Sequence, residues 1–163
     1  MTLADKLNRL QMSKFSAGIL LWKRDSGTIR VLLVHPGGPF WRNKDVGAWS
    51  IPKGEYGAGE NKLAAARREF AEELGILAHG VVTELGEIKQ KAGKVVTGFA
   101  IEADFDVSAL RSNACEIEWP PRSGKRVTFP EVDRAEWFTL NEARAKINPA
   151  QTAFLDRLAM SNG

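Results

Sequence analysis

The chain has 163 residues, 44% hydrophobic and 26% charged, with a formal net charge of +3. That balance suits a folded domain with a real core and excludes a disordered polyelectrolyte; the mild positive bias admits anionic substrates without implying stable binding to nucleic acid. No apolar run approaches the roughly 18–20 residues of a membrane span, Asp5, Lys6 and Arg9 break up any signal-peptide core, and a single cysteine, Cys115, excludes an internal disulfide and fits a reducing cytoplasm.

Leu3, Leu7 and Leu10 recur at helical spacing, so residues 1–14 are expected to form a short helix or a docked arm ahead of a single domain over 15–160. Phe15–Trp22 (FSAGILLW) reads as a buried strand, Asp25-Ser26-Gly27 as a turn, and Val31–His35 as the return strand of a hairpin. His35 is expected at the surface or at a pocket edge. Residues 36–50 (PGGPFWRNKDVGAWS) are too rich in Pro and Gly to be regular, and loops of that length are often functional. Phe40 and Trp41, at the loop's centre, are either a hydrophobic clamp beneath it or a face on which a ligand base stacks. Trp49-Ser50-Ile51 is a short strand feeding Pro52-Lys53-Gly54.

Residues 54–76 (GEYGAGENKLAAARREFAEELGI) open as a glycine-rich loop and continue as a helix. Glycines at 54, 57 and 59 let the backbone turn tightly and approach a ligand. At about 100° per residue, Glu69, Glu72 and Glu73 share an arc of roughly 100°, beside an apolar arc of Leu63, Ala66, Phe70 and Leu74. Glu72 and Glu73 fall in the last turn before a Gly75 cap, where the helix dipole disfavours anions by roughly 0.3–1 kcal/mol each. Arg67 and Arg68 relieve part of that charge, and a hard divalent cation would relieve more. The alternative is a solvated acidic face.

The spacing is Gly54, five residues, Glu60, seven residues, Arg68-Glu69-Phe70, one residue, Glu72-Glu73, one residue, Gly75-Ile76. It resembles the Nudix box, with every fixed identity present and Phe70 where an aliphatic residue is usual. At about 5–8% average usage per identity, a chance match is on the order of one in a billion per starting position. The resemblance implies an α/β fold, the three-layer α/β/α sandwich of Nudix hydrolases with a mixed central sheet. It also implies Mg²⁺-dependent hydrolysis (Mn²⁺ as a possible substitute) of a diphosphate linkage in a small-molecule nucleoside polyphosphate, dinucleoside polyphosphates ahead of plain nucleoside triphosphates. Inositol pyrophosphates, RNA 5′ ends and a catalytically silent nucleotide-binding module are the rival readings. By resemblance, the Gly54 carbonyl, Glu69, Glu72 and Glu73 hold metal, and Glu60 pairs with Arg68 to orient the carboxylates. Lys53 reaches a phosphate over the loop.

After the box, Val81–Lys89 and Lys94–Phe105 read as strands joined near Gly93, with His79 in a surface connection. Glu116–Trp119 alternates as a half-buried strand does, and Cys115 is expected to be a buried structural thiol. Pro120–Arg126 is a basic loop whose Arg122, Lys125 and Arg126 either hold distal phosphates or are simply solvated. Trp119 and Tyr56 are stacking candidates or packing residues. Val127–Phe129 and Arg134–Phe138 are short strands around Pro130. The family commonly adds a carboxylate just before a Trp-bearing strand, as a metal ligand or general base. Glu131, ahead of Trp137, has that layout, with Glu116 and Glu118 as competitors. Thr139-Leu140-Asn141-Glu142 is a capping box opening a helix, and Asn148-Pro149 opens the last one. The sequence sets no oligomeric state.

Overall fold

Apolar residues run without a break from Ala17 to Trp22, a pattern that buries a strand on both faces. The computed structural model describes residues 15–162 and places that segment in mid-sheet; the expected N-terminal arm lies outside the described residues. Strand β1 (Phe15–Asp25) turns through Ser26 and Gly27, both at positive φ (52° and 83°), into β2 (Thr28–Pro36). Two positive-φ residues make the tight hairpin turn that matches strand twist. The sheet order is β4 (Val82–Lys89), β5 (Val95–Glu102), β1, β2, β8 (Val132–Thr139), with β3 (Lys53–Glu55) paired to the start of β1. The β1–β5 pair is parallel and the other pairs are antiparallel, so the sheet is mixed.

Alternation along β1 divides the core. Ala17, Ile19 and Leu21 join Leu32, Val34 and Ile101 beneath helix α1 (Lys62–Leu74). Leu20 and Trp22 join Leu33, Val96 and Phe138 beneath α2 (Leu140–Lys146) and α3 (Thr152–Asn162). This is the three-layer α/β/α sandwich. The strands β6 (Ala114–Glu118) and β7 (Arg126–Pro130) form a separate two-stranded hairpin.

Several local expectations change. Trp49–Ile51 makes isolated bridges, Val34 to Ser50 and Trp49 to Ile147, in place of a strand. Strand β8 begins two residues early, at Val132, and a 3₁₀ turn over Pro149–Gln151 precedes α3. His35 is fully buried, not at a surface or pocket edge. Its Nδ1 lies 2.8 Å from Asp133 Oδ1 and its Nε2 2.6 Å from the Lys44 carbonyl oxygen, which draws the 37–50 loop over it. Cys115 is half-buried and free.

The sandwich is tight where β5 meets α3. A Cβ built at Gly98 would come within 2.7 Å of the Phe154 ring, itself fully buried. Gly98→Ala is therefore expected to destabilise the protein by about 1–3 kcal/mol through overpacking, read as a lower urea midpoint at unchanged m-value.

Candidate active site

Helix α1 is held at both ends. Asn61 caps its start by accepting from the Ala64 N–H at 3.1 Å, and Gly75, at φ 87°, ends it with its N–H on the Ala71 carbonyl at 2.8 Å. Ala66, Phe70 and Leu74 are fully buried, and Glu69 and Glu73, next to them on the helix surface, are carried into the protein at 7% exposure each. Glu72 faces outward, with its side chain 41% exposed.

Gly54 lies in β3, and its value is space, not a tight turn: a Cβ there would collide with the Glu69 carboxylate. Arg68 ties the loop to the helix. Its Nε and Nη2 each donate to Glu60 at 3.0 Å, and Nη1 donates to Glu69 at 2.7 Å and Glu72 at 3.4 Å. A second Nη2 bond reaches the Glu55 carbonyl at 3.3 Å. The Glu60 hydrogen bonds hold the guanidinium firmly protonated, and the same pairing lowers Glu60 below the usual carboxylate range.

Glu73 is outside that fork. Burial pushes its carboxyl up to about 9, helped by the nearby charges of Glu131 and Glu69 and opposed by Lys53. Its Oε2 is buried with no hydrogen-bond partner. Burial also raises Glu69, against the Arg68 hydrogen bond, and pulls the Lys53 ammonium below its usual range.

Glu73 and Lys53 border a cleft of about 290 Å³ with Glu131, Trp41, Gln90 and Asn148, among others, whereas Gly54, Glu69 and Glu72 are not in its lining. Glu131 sits between β7 and β8, its backbone N–H on the Asn113 carbonyl and its carbonyl accepting from Gly37. Glu116 and Glu118 point outward from β6 and are bound to Arg126 and to the Gly124 N–H, so neither borders the cleft. Phe40, half exposed, meets Trp41 edge-on with ring centroids 5.0 Å apart, under the Lys44 ammonium. Tyr56 is not brought to the cleft; it packs against Phe15 and the α1 side of the core. Trp119 faces a different cavity with Arg42 and Phe129. Arg122 and Lys125 sit exposed in the β6–β7 turn, away from the cleft lining, because the hairpin projects from the main sheet.

Gln90, Asn148, Ser50 and Gln151 line the cleft without any signal in the sequence. Gln151 is committed to structure, bonding Ser50 Oγ and the Ile51 N–H. Gln90 has a buried Oε1 with no partner. No three carboxylate, imidazole or thiol groups converge into a closed metal cage among the described residues. The donor set nevertheless fits a hard cation: an orphaned carboxylate oxygen on Glu73, the Glu69 and Glu131 carboxylates held close to it, and an open cleft beside Glu73 for a cation that keeps several waters.

Two buried carboxylates on one helix of a mixed-sheet sandwich suit a metal-assisted hydrolase. The NUDIX domain family model matches residues 12–158, and the chain belongs to that family, as a pyrophosphohydrolase of a class that generally uses a divalent metal. An Ap4A hydrolase from C. elegans, solved as a binary complex, has the same fold at 19% identity and a TM-score of 0.61, over 90% of this chain and 97% of that one. The NUDIX domain of Shewanella oneidensis NrtR, complexed with ADP ribose, superposes at 14% identity and a TM-score of 0.64 over the whole of both chains. A mutT/nudix family protein from Listeria innocua matches at 16% identity and a TM-score of 0.60, over 91% of this chain and 93% of that one. No curated protein matches it in sequence.

Between the ordinary value of 4.5 and about 9, the native state holds a proton on Glu73 that the unfolded chain lacks. Stability from this group is therefore full below the lower value and is lost as pH rises through that window. The metal-chelated protein should melt progressively lower from about pH 6 to about pH 9, and Glu73→Gln, which cannot ionise, should show a flatter profile. Parallel melting profiles for the two proteins would contradict the buried, proton-holding carboxyl.

Proposed function

We propose that this enzyme hydrolyses a diphosphate linkage in a nucleoside polyphosphate, dinucleoside polyphosphates ahead of nucleoside triphosphates, with Mg²⁺ as cofactor and Mn²⁺ as a substitute. The observation that carries the reading is Glu73: a buried acceptor left without a partner, facing a cleft it shares with Lys53 and Glu131. Glu69, Glu72, Glu73, the Gly54 carbonyl and Glu131 would hold the metal. Bound there, it would neutralise phosphate charge and make a water more acidic.

The rest is the work of the chain's own residues. Arg68 and Glu60 fix the Glu69 carboxylate against Gly54, so the site needs little rearrangement when substrate arrives. Lys53 offers an ammonium to a phosphate, and that ammonium is sparsely solvated and so interacts strongly. Trp41 presents an aromatic face to a base, and Gln90 an acceptor to a base N–H. Glu131 either takes the proton of the attacking water or adds to the metal's ligands. The site acts within one domain, residues 15–160. We place the enzyme in a reducing cytoplasm on the strength of its lone free thiol.

A panel of nucleoside triphosphates, dinucleoside polyphosphates, ADP-ribose and inositol pyrophosphates, incubated with Mg²⁺ and resolved by chromatography, tests the substrate. Preferred cleavage of dinucleoside polyphosphates is expected, and cleavage of inositol pyrophosphates alone would refute the reading. Glu131→Gln is expected to lower kcat roughly a hundredfold at similar KM, with partial recovery at high pH, if Glu131 is the base. If it is a ligand, the same variant needs more Mg²⁺ for half-maximal rate. Unaltered kcat together with unaltered Mg²⁺ dependence would remove Glu131 from the site.

A further inference from the structure

Trp41 and Glu131 each border two spaces. Beyond the cleft they line a cavity of about 280 Å³, closed on one side by Pro39 and Phe40 and on the other by Ile117 and Phe129. The hairpin builds its wall by strand alternation. Cys115 faces Phe129 and Ile117 faces Val127 across the ladder, half-buried, while Glu116 and Glu118 point to solvent.

The opposite wall is fixed by close packing. A Cβ at Gly38 would come within 2.7 Å of the Phe129 ring, and one at Gly37 would collide with the Pro130 carbonyl. The Gly37 N–H also donates to the Glu131 carbonyl at 2.9 Å. The space therefore stands formed between packed walls, with Phe40 and Trp41 set at 85° to each other.

Among the described residues, Glu131 is the only charged one in this lining. A terminal phosphate would meet that carboxylate, an arrangement that burial makes expensive, while the Lys44 ammonium is taken up over the Phe40 ring, 3.4 Å from its centroid. A planar uncharged group would find aromatic faces, and any base can stack on such faces. Glu131 and Trp41 also belong to the cleft that holds Glu73 and Lys53, so one ligand can span both spaces. We propose that this cavity receives the second nucleobase of a dinucleoside polyphosphate whose phosphate chain lies in the cleft. The proposal rests on the reading of the cleft as a nucleoside polyphosphate site, and it makes the hairpin the part of the enzyme that selects substrates with a base at both ends.

Calorimetric titration of the full chain, with Mg²⁺ and methylene-bridged analogues that cannot be cleaved, tests it. Diadenosine tetraphosphate and ATP analogues are compared. The native protein should bind the dinucleotide at least about tenfold tighter, the discrimination of one stacked base. Ile117→Trp fills the cavity and should shrink that ratio below about threefold. Should that variant not fold, Cys115→Phe fills the same space from the same inner face and is read the same way. A native ratio near one, or a ratio that survives filling of the cavity, would overturn the proposal. Because only binding is measured, a lack of turnover in the substrate panel would refute the hydrolytic reading and leave this result standing.

Discussion

The site depends on how α1 is pressed against the sheet. Phe70 and Leu74 are fully buried, and each contributes roughly 1.5–3 kcal/mol by leaving water. Placing Glu72 and Glu73 in the last turn opposes this by roughly 0.3–1 kcal/mol each, so packing wins and the helix seats as it does. Helical periodicity then leaves Glu69 and Glu73 no choice but to go in beside Phe70. Arg68 reaches Glu60, Glu69 and Glu72 but not Glu73. The carboxyl left without a cationic partner is therefore Glu73, which burial keeps protonated until a cation takes the proton's place.

The same logic holds the loop that walls the cleft. Residues 37–50 lack regular structure, yet both ring nitrogens of His35 are engaged, one with Asp133 and one with the Lys44 carbonyl. Asp45 accepts from Trp49 Nε1 at 2.8 Å and pairs with Lys146 on α2. Trp49 stacks edge-on against both His35 and Phe138. A segment rich in Gly and Pro is thus anchored from beneath, and Trp41 is carried at a defined place.

How much of this could be read from the chain differs from one residue to the next. The α1 carboxylates, the Glu60–Arg68 spacing and the Gly75 cap were legible because they follow from one helix and its period. The sheet core was legible from unbroken apolar runs such as Ala17–Trp22. His35 was not, since its partners are 9 and 98 residues away and a lone histidine carries no mark of what will bury it. Gln90 was invisible for the same reason. The β6–β7 hairpin was readable as strands, but its departure from the main sheet was not. That departure leaves Arg122 and Lys125 in solvent and separates Trp119 from the cleft.

Chemistry and selectivity therefore reside in different parts of the molecule. The carboxylates, Gly54 and Arg68 come from one continuous stretch, whereas the cleft walls come from the 37–50 loop, the β4–β5 turn, the β7–β8 junction and the turn before α3. Two acceptors stand unpartnered in the cleft, Glu73 Oε2 on α1 and Gln90 Oε1 on the β4–β5 turn. Each unmet buried acceptor costs roughly 1–3 kcal/mol in the free protein. A cation answers the first and an N–H donor the second, so a ligand that brings both regains more than its contact area suggests. A polyphosphate carrying its metal at one end and a base with an exocyclic amine at the other has that composition. Inorganic diphosphate has only the first part, and for it the Gln90 acceptor would stay unmet.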